Sequence, residues 1–175
     1  HQLSPSAFSR RFGIEIEAYG VNQTYLLDSL RRAGIECKSE RYNHTTRPHW
    51  KVVSDSSISG SNPFELVSPI LEGESGLRQV KQVCKALQKV KAKVNSSCGM
   101  HVHINARDFT IKTWKNILIN YARLEKIIDN FMPQSRRDNY YCKGFAQIAD
   151  FENKIARVRR VEDITAVLET RYRKI

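Results

Sequence analysis

Apolar and acidic positions alternate in residues 12–17, Phe-Gly-Ile-Glu-Ile-Glu, which is the period of a strand with one buried and one polar face. The period changes over residues 22–33, where Tyr25, Leu26, Leu30 and Ala33 form one stripe of a helix and Gly34 is placed to cap its end. Residues 35–38 read as a short strand. Residues 39–49 are polar, hold Pro48 and read as a loop. Residues 50–53 and 63–68 read as strands on either side of the turn-rich stretch 54–62. From Glu74 to Val90, the residues Leu77, Val80, Cys84, Leu87 and Val90 make a helical stripe, with Cys84 expected in the core and Lys81, Lys85 and Lys89 on the outer face. Residues 99–105 read as a strand. Thr110 is an N-cap for a helix running to about Phe131, which Pro133 stops. Residues 134–145 are polar and irregular, and 146–158 fit a short helix or a loop. Residues 162–169 fit a helix, and 171–175 alternate like the start of another strand.

Strands and helices are thus intermixed, and the strands alternate in polarity. The pattern predicts an α+β fold: an antiparallel sheet with helices on one face and a polar face on the other. Gly and Pro are few and sit at joints, so no interdomain linker is evident. Residues 1–10 read as a tail and 11–175 as one domain. A chain that ends on a starting strand, and begins without Met, reads as cut short at its C-terminal part.

Composition narrows the function classes. In 175 residues, 41% apolar and 27% charged side chains are ordinary globular values and argue against disorder. No apolar run approaches the roughly 18 residues of a membrane span, and residues 1–11 lack the apolar stretch of a secretory signal. Cys37, Cys84, Cys98 and Cys142 form no CxxC pair, which argues against a zinc ribbon and fits the reducing cytoplasm. Lys and Arg outnumber Asp and Glu by 29 to 18, a net +11 that attracts polyanions. The basic residues are spread along the chain, with clusters at Arg10-Arg11, Arg31-Arg32, Arg136-Arg137 and Arg157 to Arg160.

The candidate chemistry lies on the polar sides of the strands. Ile14 and Ile16 point one way and Glu15 and Glu17 the other, about 6.6 Å apart along the strand. Glu65 opposes Phe64 and Leu66. In residues 99–105, Val102 and Ile104 are expected to face the core, with His101 and His103 facing away. Each feature alone is ordinary surface. Together they gather like charges that repel unless something positive sits between them. A divalent cation does that, and an oxygen-rich set with an imidazole suits Mg²⁺ or Mn²⁺. Arg136 and Arg137 add guanidinium forks, which bind phosphate bidentately.

The blocks FGIEIE, WKVVSDSSI, FELVSPIL, NSSCGMHVHIN and FMPQSRRDNYYC occur in the order found in the putative amidoligase family, a relative of glutamine synthetase and the glutamate–cysteine ligases. The chain resembles that family from about Arg11 to its end. The resemblance implies a glutamine synthetase-like catalytic fold and ATP-dependent joining of a carboxylate to an amine through an acyl phosphate. It also implies that Glu15, Glu17, Glu65 and His101 bind Mg²⁺ or Mn²⁺, that His103 lies near the ATP phosphates, and that Arg137 with Arg136 contacts phosphate or substrate. Asp55 holds a position in the second block with no assigned role. A later strand of the family pattern, carrying a further Glu and Arg, is not in this sequence.

Two other classes compete. A non-catalytic basic protein for nucleic acid or another polyanion would use the net charge, but the chain shows no nucleic-acid module and no aromatic–basic interleaving. A metal-dependent hydrolase would use the HxH strand around a bound water. The ligase reading needs no Ser–His or Cys–His nucleophile, and no P-loop is present. It predicts small-molecule or peptide carboxylate and amine substrates and no membrane, and leaves open whether the chain is an oligomer.

Overall fold

The strand inside the sheet is built on the alternation of residues 12–17. In the computed structural model, which describes residues 8–137, 140 and 142–168, it forms β1, Arg11–Ala18. Phe12, Ile14 and Ala18 are buried, while Gly13, Glu15 and Glu17 lie half-buried on the opposite side. The expected strand at 171–175, residues 1–7 of the expected tail, and Asp138, Asn139, Tyr141 and Glu169 lie outside the described residues.

The chain forms two compact units, residues 1–105 and 106–175. The first holds the helices α1 (Gln23–Arg32) and α2 (Gly73–Lys89) and the remaining strands: β2 (Cys37–Ser39), β3 (Trp50–Val53), β4 (Phe64–Val67), β5 (Leu71–Glu72) and β6 (Met100–Ile104). β4 pairs antiparallel with Glu15–Ala18 and β5 with Arg11 and Phe12, while β6 pairs antiparallel with Phe12–Ile16. Phe12 pairs with both β6 and β5, and Glu15 and Ile16 with both β6 and β4, so β6 occupies one edge of β1, and β4 and β5 share the other. Between them the register slips by one residue, and Ser68 absorbs the slip. Its N–H donates to Ile14 O at 2.9 Å, and its hydroxyl accepts the Ile14 N–H at 2.8 Å. β3 continues the sheet antiparallel to β4, whereas β2 runs parallel to β3, so the expected antiparallel sheet is mixed at that pair.

α1 and α2 pack on one face. Leu26, Leu30, Val83, Ala86 and Leu87 join Phe12, Ile14, Val52, Phe64 and Leu66 in one apolar cluster. Each helix ends in a Schellman arrangement. After α1, Gly34 at φ +78° donates to Arg31 O and Ile35 to Leu30 O, both at 3.0 Å; after α2, Lys91 at φ +56° donates to Gln88 O and Ala92 to Leu87 O, also at 3.0 Å. The α2 stripe is rotated from the expected one. Gly76 and Val83 face inward, while Leu77 and Cys84 are exposed, because the small Gly76 lets the helix approach Phe12 and Leu71 closely. Tyr25 of the expected α1 stripe is likewise exposed, and Ser29 takes the inward place, its hydroxyl donating to Ala86 O.

β6 also departs from expectation. Its register puts Val102 beside Ile14 and Ile104 beside Phe12, on the helix-covered side, yet they are 52% and 47% exposed. An edge strand lies beyond the apolar cluster, which contains no β6 side chain. At the other end of the sheet the opposite face is closed by residues 40–49. There the Lys51 side chain is buried, and its ammonium donates to Asn43 O, Asn43 Oδ1 and Thr45 O at 2.8–2.9 Å.

The second unit contains α3 (Ile111–Asp129), α4 (Phe151–Arg157) and α5 (Ile164–Leu168). Thr110 caps α3, its hydroxyl accepting the Thr113 N–H. The core gathers Leu118, Phe145, Ile148, Phe151, Ile155 and Ile164, with the Phe145 and Phe151 rings stacked 4.7 Å apart. The buried Glu125 carboxylate is satisfied by the Phe145 N–H at 2.9 Å. No helix among the described residues is long and apolar enough to cross a membrane.

Candidate metal centre

Strand pairing decides which polar side chains meet. Glu15 pairs with His101 and Gly13 with His103 across β1 and β6, so both imidazoles stand on the Glu15 side of the sheet. Across β1 and β4, Glu17 pairs with Glu65, and Glu15 is the diagonal neighbour of Glu65. The alternation read from the sequence therefore holds on all three strands.

Glu15 is the hub. Its Oε2 lies 3.0 Å from His101 Nδ1 and its Oε1 lies 3.2 Å from His103 Nε2. Burial pushes this carboxyl upward, but hydrogen bonds and charge from the two imidazoles outweigh burial and hold it below its ordinary value. Glu65 is the opposite case. Burial first, and then the charges of Glu15, Glu17 and Asp55, push its carboxyl above the ordinary range, with only His101 acting the other way. A proton or a cation relieves that repulsion.

Glu15, Glu65 and His101 each offer a ligand atom within 4.8 Å of the other two. Two carboxylates and one imidazole are a hard, oxygen-rich donor set, which fits a divalent cation of the Mg²⁺ or Mn²⁺ kind better than a thiophilic one. If His101 donates its Nδ1–H to Glu15, its Nε2 keeps a lone pair for a metal.

The other expected site residues are placed differently. Glu17 lies outside this three-residue group: its Oε2 accepts the Gly99 N–H at 2.6 Å, and its own N–H donates to Gly99 O at 3.0 Å. His103 contacts Glu15 without joining the group. Arg136 and Arg137 belong to the second unit, in the turn that follows α3, where Arg137 Nε donates to Met132 O at 3.1 Å. Gly99 is the participant that sequence reasoning passed over. A β-carbon there would stand 3.2 Å from His101 Nε2 and 3.4 Å from Glu17 Oε2. A glycine just before the HxH strand was the available signal. Asp55, with no role from sequence, proves close enough for its charge to act on Glu65.

All four cysteines are free thiols. Burial pushes the Cys37 thiol up to about 12, and Cys98 is buried with Sγ 3.7 Å from Asn95 Oδ1, which is a packing role. Neither a curated protein nor a solved structure matches the chain. One family model does, that of the putative amidoligase enzyme, and it covers residues 9–174, a span that includes every residue of the carboxylate–imidazole group. On that match, extending over nearly the whole sequence, the chain belongs to the putative amidoligase enzyme family.

Proposed function

We propose that this protein is an ATP-dependent carboxylate–amine ligase of glutamine synthetase-like fold, working with Mg²⁺ or Mn²⁺. The observation that carries the reading is the meeting of Glu15, Glu65 and His101 on the polar face of an α+β sheet, in a chain of an amidoligase family. Glu15, Glu65 and His101 would hold the cation, with Glu17 at the margin of the group. When bound, the cation would neutralise charge on phosphate oxygens during transfer of the γ-phosphoryl group to the substrate carboxylate.

The chain's own residues then have distinct tasks. Glu15 orients both imidazoles through its two oxygens. Gly99 fixes the Glu17 carboxylate through its N–H and leaves room beside His101. His103, with its side chain 64% exposed, can present a ring N–H to a phosphate. The guanidinium forks of Arg137 and Arg136 suit a phosphoryl group, as paired N–H donors. The amine, having given its ammonium proton to solvent, would attack the acyl phosphate carbon as the neutral nitrogen, and the further proton that nitrogen loses on becoming an amide would leave on the phosphate. The new C–N bond forms as the bond from carbon to the phosphate oxygen breaks, and inorganic phosphate leaves. No nucleophilic side chain is required.

The test is calorimetric titration of a non-hydrolysable ATP analogue, with Mg²⁺ and then with EDTA. Binding that needs Mg²⁺ supports the reading. Equal binding in EDTA, or none in either condition, overturns it for this chain.

A further inference from the structure

A cleft of about 940 Å³ opens in the first unit, at the end of the sheet where Ser54 to Ser57 leave β3. Its floor is apolar, formed by Val21, Leu26, Val52 and Phe64, and Tyr42 stands in its wall. Among the described residues, no lysine or arginine lines this cleft, although the chain is rich in both. Among the described residues, the one charged side chain in its wall is Asp55, whose carboxylate acts on Glu65 and so joins the cleft electrostatically to the carboxylate–imidazole group. One Asp55 oxygen accepts the Ser57 N–H at 2.8 Å, which fixes the side chain.

The three reactants of the proposed ligase differ in charge. Nucleotide phosphates and the substrate carboxylate are anions, and a wall whose charged side chain is a carboxylate offers them no cationic side chain among the described residues. The amine arrives as a cation. The volume is that of an ordinary organic-ligand pocket and far exceeds what ammonia fills. A carboxylate adjoining the amine, as in a free amino acid, would meet Asp55 and no lysine or arginine among the described lining residues.

We propose that this cleft takes the amine substrate, as an organic ammonium cation with a neutral, partly apolar body and no carboxylate adjoining the amine. The ammonium sits at Asp55, and the body lies over the apolar floor beside Tyr42. The assignment rests on the ligase reading for its meaning as a substrate site, but the binding itself does not need nucleotide or metal.

The test is therefore made on the full chain without either. Backbone amide signals of Ser56, Ser57 and Asn62 are followed by NMR during titration with pentylamine, with norleucine (the same amine with an adjoining carboxylate) and with pentan-1-ol. Pentylamine is expected to shift these signals saturably and to bind about tenfold or more tightly than the other two, the worth of a charge-assisted hydrogen bond. Asp55→Asn is expected to remove that preference. The preference in the unaltered chain needs no variant, so misfolding of Asp55→Asn does not blunt the test. Equal binding of the three ligands, no saturable shift at the cleft, or an unchanged preference in a folded Asp55→Asn overturns the proposal. If pentylamine binds as expected while the ATP analogue does not, the ligase reading fails and the ammonium cleft stands.

Discussion

Glu15 and His101 face each other across β1 and β6, with the imidazole Nδ1 3.0 Å from the carboxylate Oε2. The pair sits on the polar side of the sheet because Ile14 and Ile16 commit the other side of β1 to the helices. His103 reaches the second oxygen of the same carboxylate but lies outside the group whose ligand atoms converge. The two histidines should therefore separate in a Mn²⁺ titration. His101→Ala is expected to weaken Mn²⁺ binding by about tenfold or more, and His103→Ala by clearly less. Equal losses would remove the distinction.

Glu65 links metal binding to stability. Its carboxyl is held above its ordinary value, so the folded chain keeps that proton more tightly than the unfolded chain does. The associated stability is complete below the ordinary carboxyl range and is lost as pH rises through the raised value. Glu65→Gln, which cannot ionise, is expected to raise the melting temperature of the metal-free protein at pH 7 and to change it little at pH 4. The same variant should bind Mn²⁺ about tenfold or more weakly. A lower melting temperature at pH 7 would show that the repulsion from Glu15, Glu17 and Asp55 is not there.

Gly99 should prove sensitive to a single methyl group. The added β-carbon of Gly99→Ala would press on His101 Nε2 at 3.2 Å and on Glu17 Oε2 at 3.4 Å, and both are ends of side chains that can move. Stability is expected to change by less than about 1 kcal/mol, while metal affinity falls, because the ligand is displaced and the fold is not. Denaturant melts and Mn²⁺ binding measured on one preparation check this. A large stability loss with normal affinity would contradict it.

The end of α2 offers a test of the fold itself. Lys91 holds φ +56° where Gly34 serves the same turn after α1. A side chain in the left-handed region costs roughly 1–2 kcal/mol that glycine does not incur. Lys91→Gly is expected to stabilise the chain by about 1 kcal/mol in urea unfolding. Destabilisation would mean that the lysine stem makes contacts that outweigh the backbone strain.

Much of the site was legible because strand alternation is local. Glu15, Glu65, His101 and His103 declare their face by their apolar neighbours, and pairing then only has to set them side by side. What was not legible depends on contacts distant in sequence. Helical spacing from Val80 and Leu87 runs the α2 stripe through Leu77 and Cys84, but close approach to Phe12 and Leu71 turns Gly76 and Val83 inward instead. Val102 and Ile104 have the right side but not the burial, since periodicity does not report that a strand lies at an edge. The slip at Ser68 and the short β5 that follows arise from a side-chain hydroxyl replacing a ladder carbonyl, which no periodicity records. Glu17 and Glu65 are directly opposed like charges, and only the Gly99 N–H, 82 residues away from Glu17, explains why Glu17 turns aside.

Glu15, Glu65 and His101 should act together as one divalent-cation site. Titration of the chain with Mn²⁺, read by the electron paramagnetic resonance signal of the free ion, tests it most directly, with Glu15→Gln as the comparison. Saturable Mn²⁺ uptake that excess Mg²⁺ reverses is expected, with affinity reduced by about tenfold or more in Glu15→Gln. Uptake unchanged in Glu15→Gln, or no saturable uptake by the unaltered chain, would contradict it.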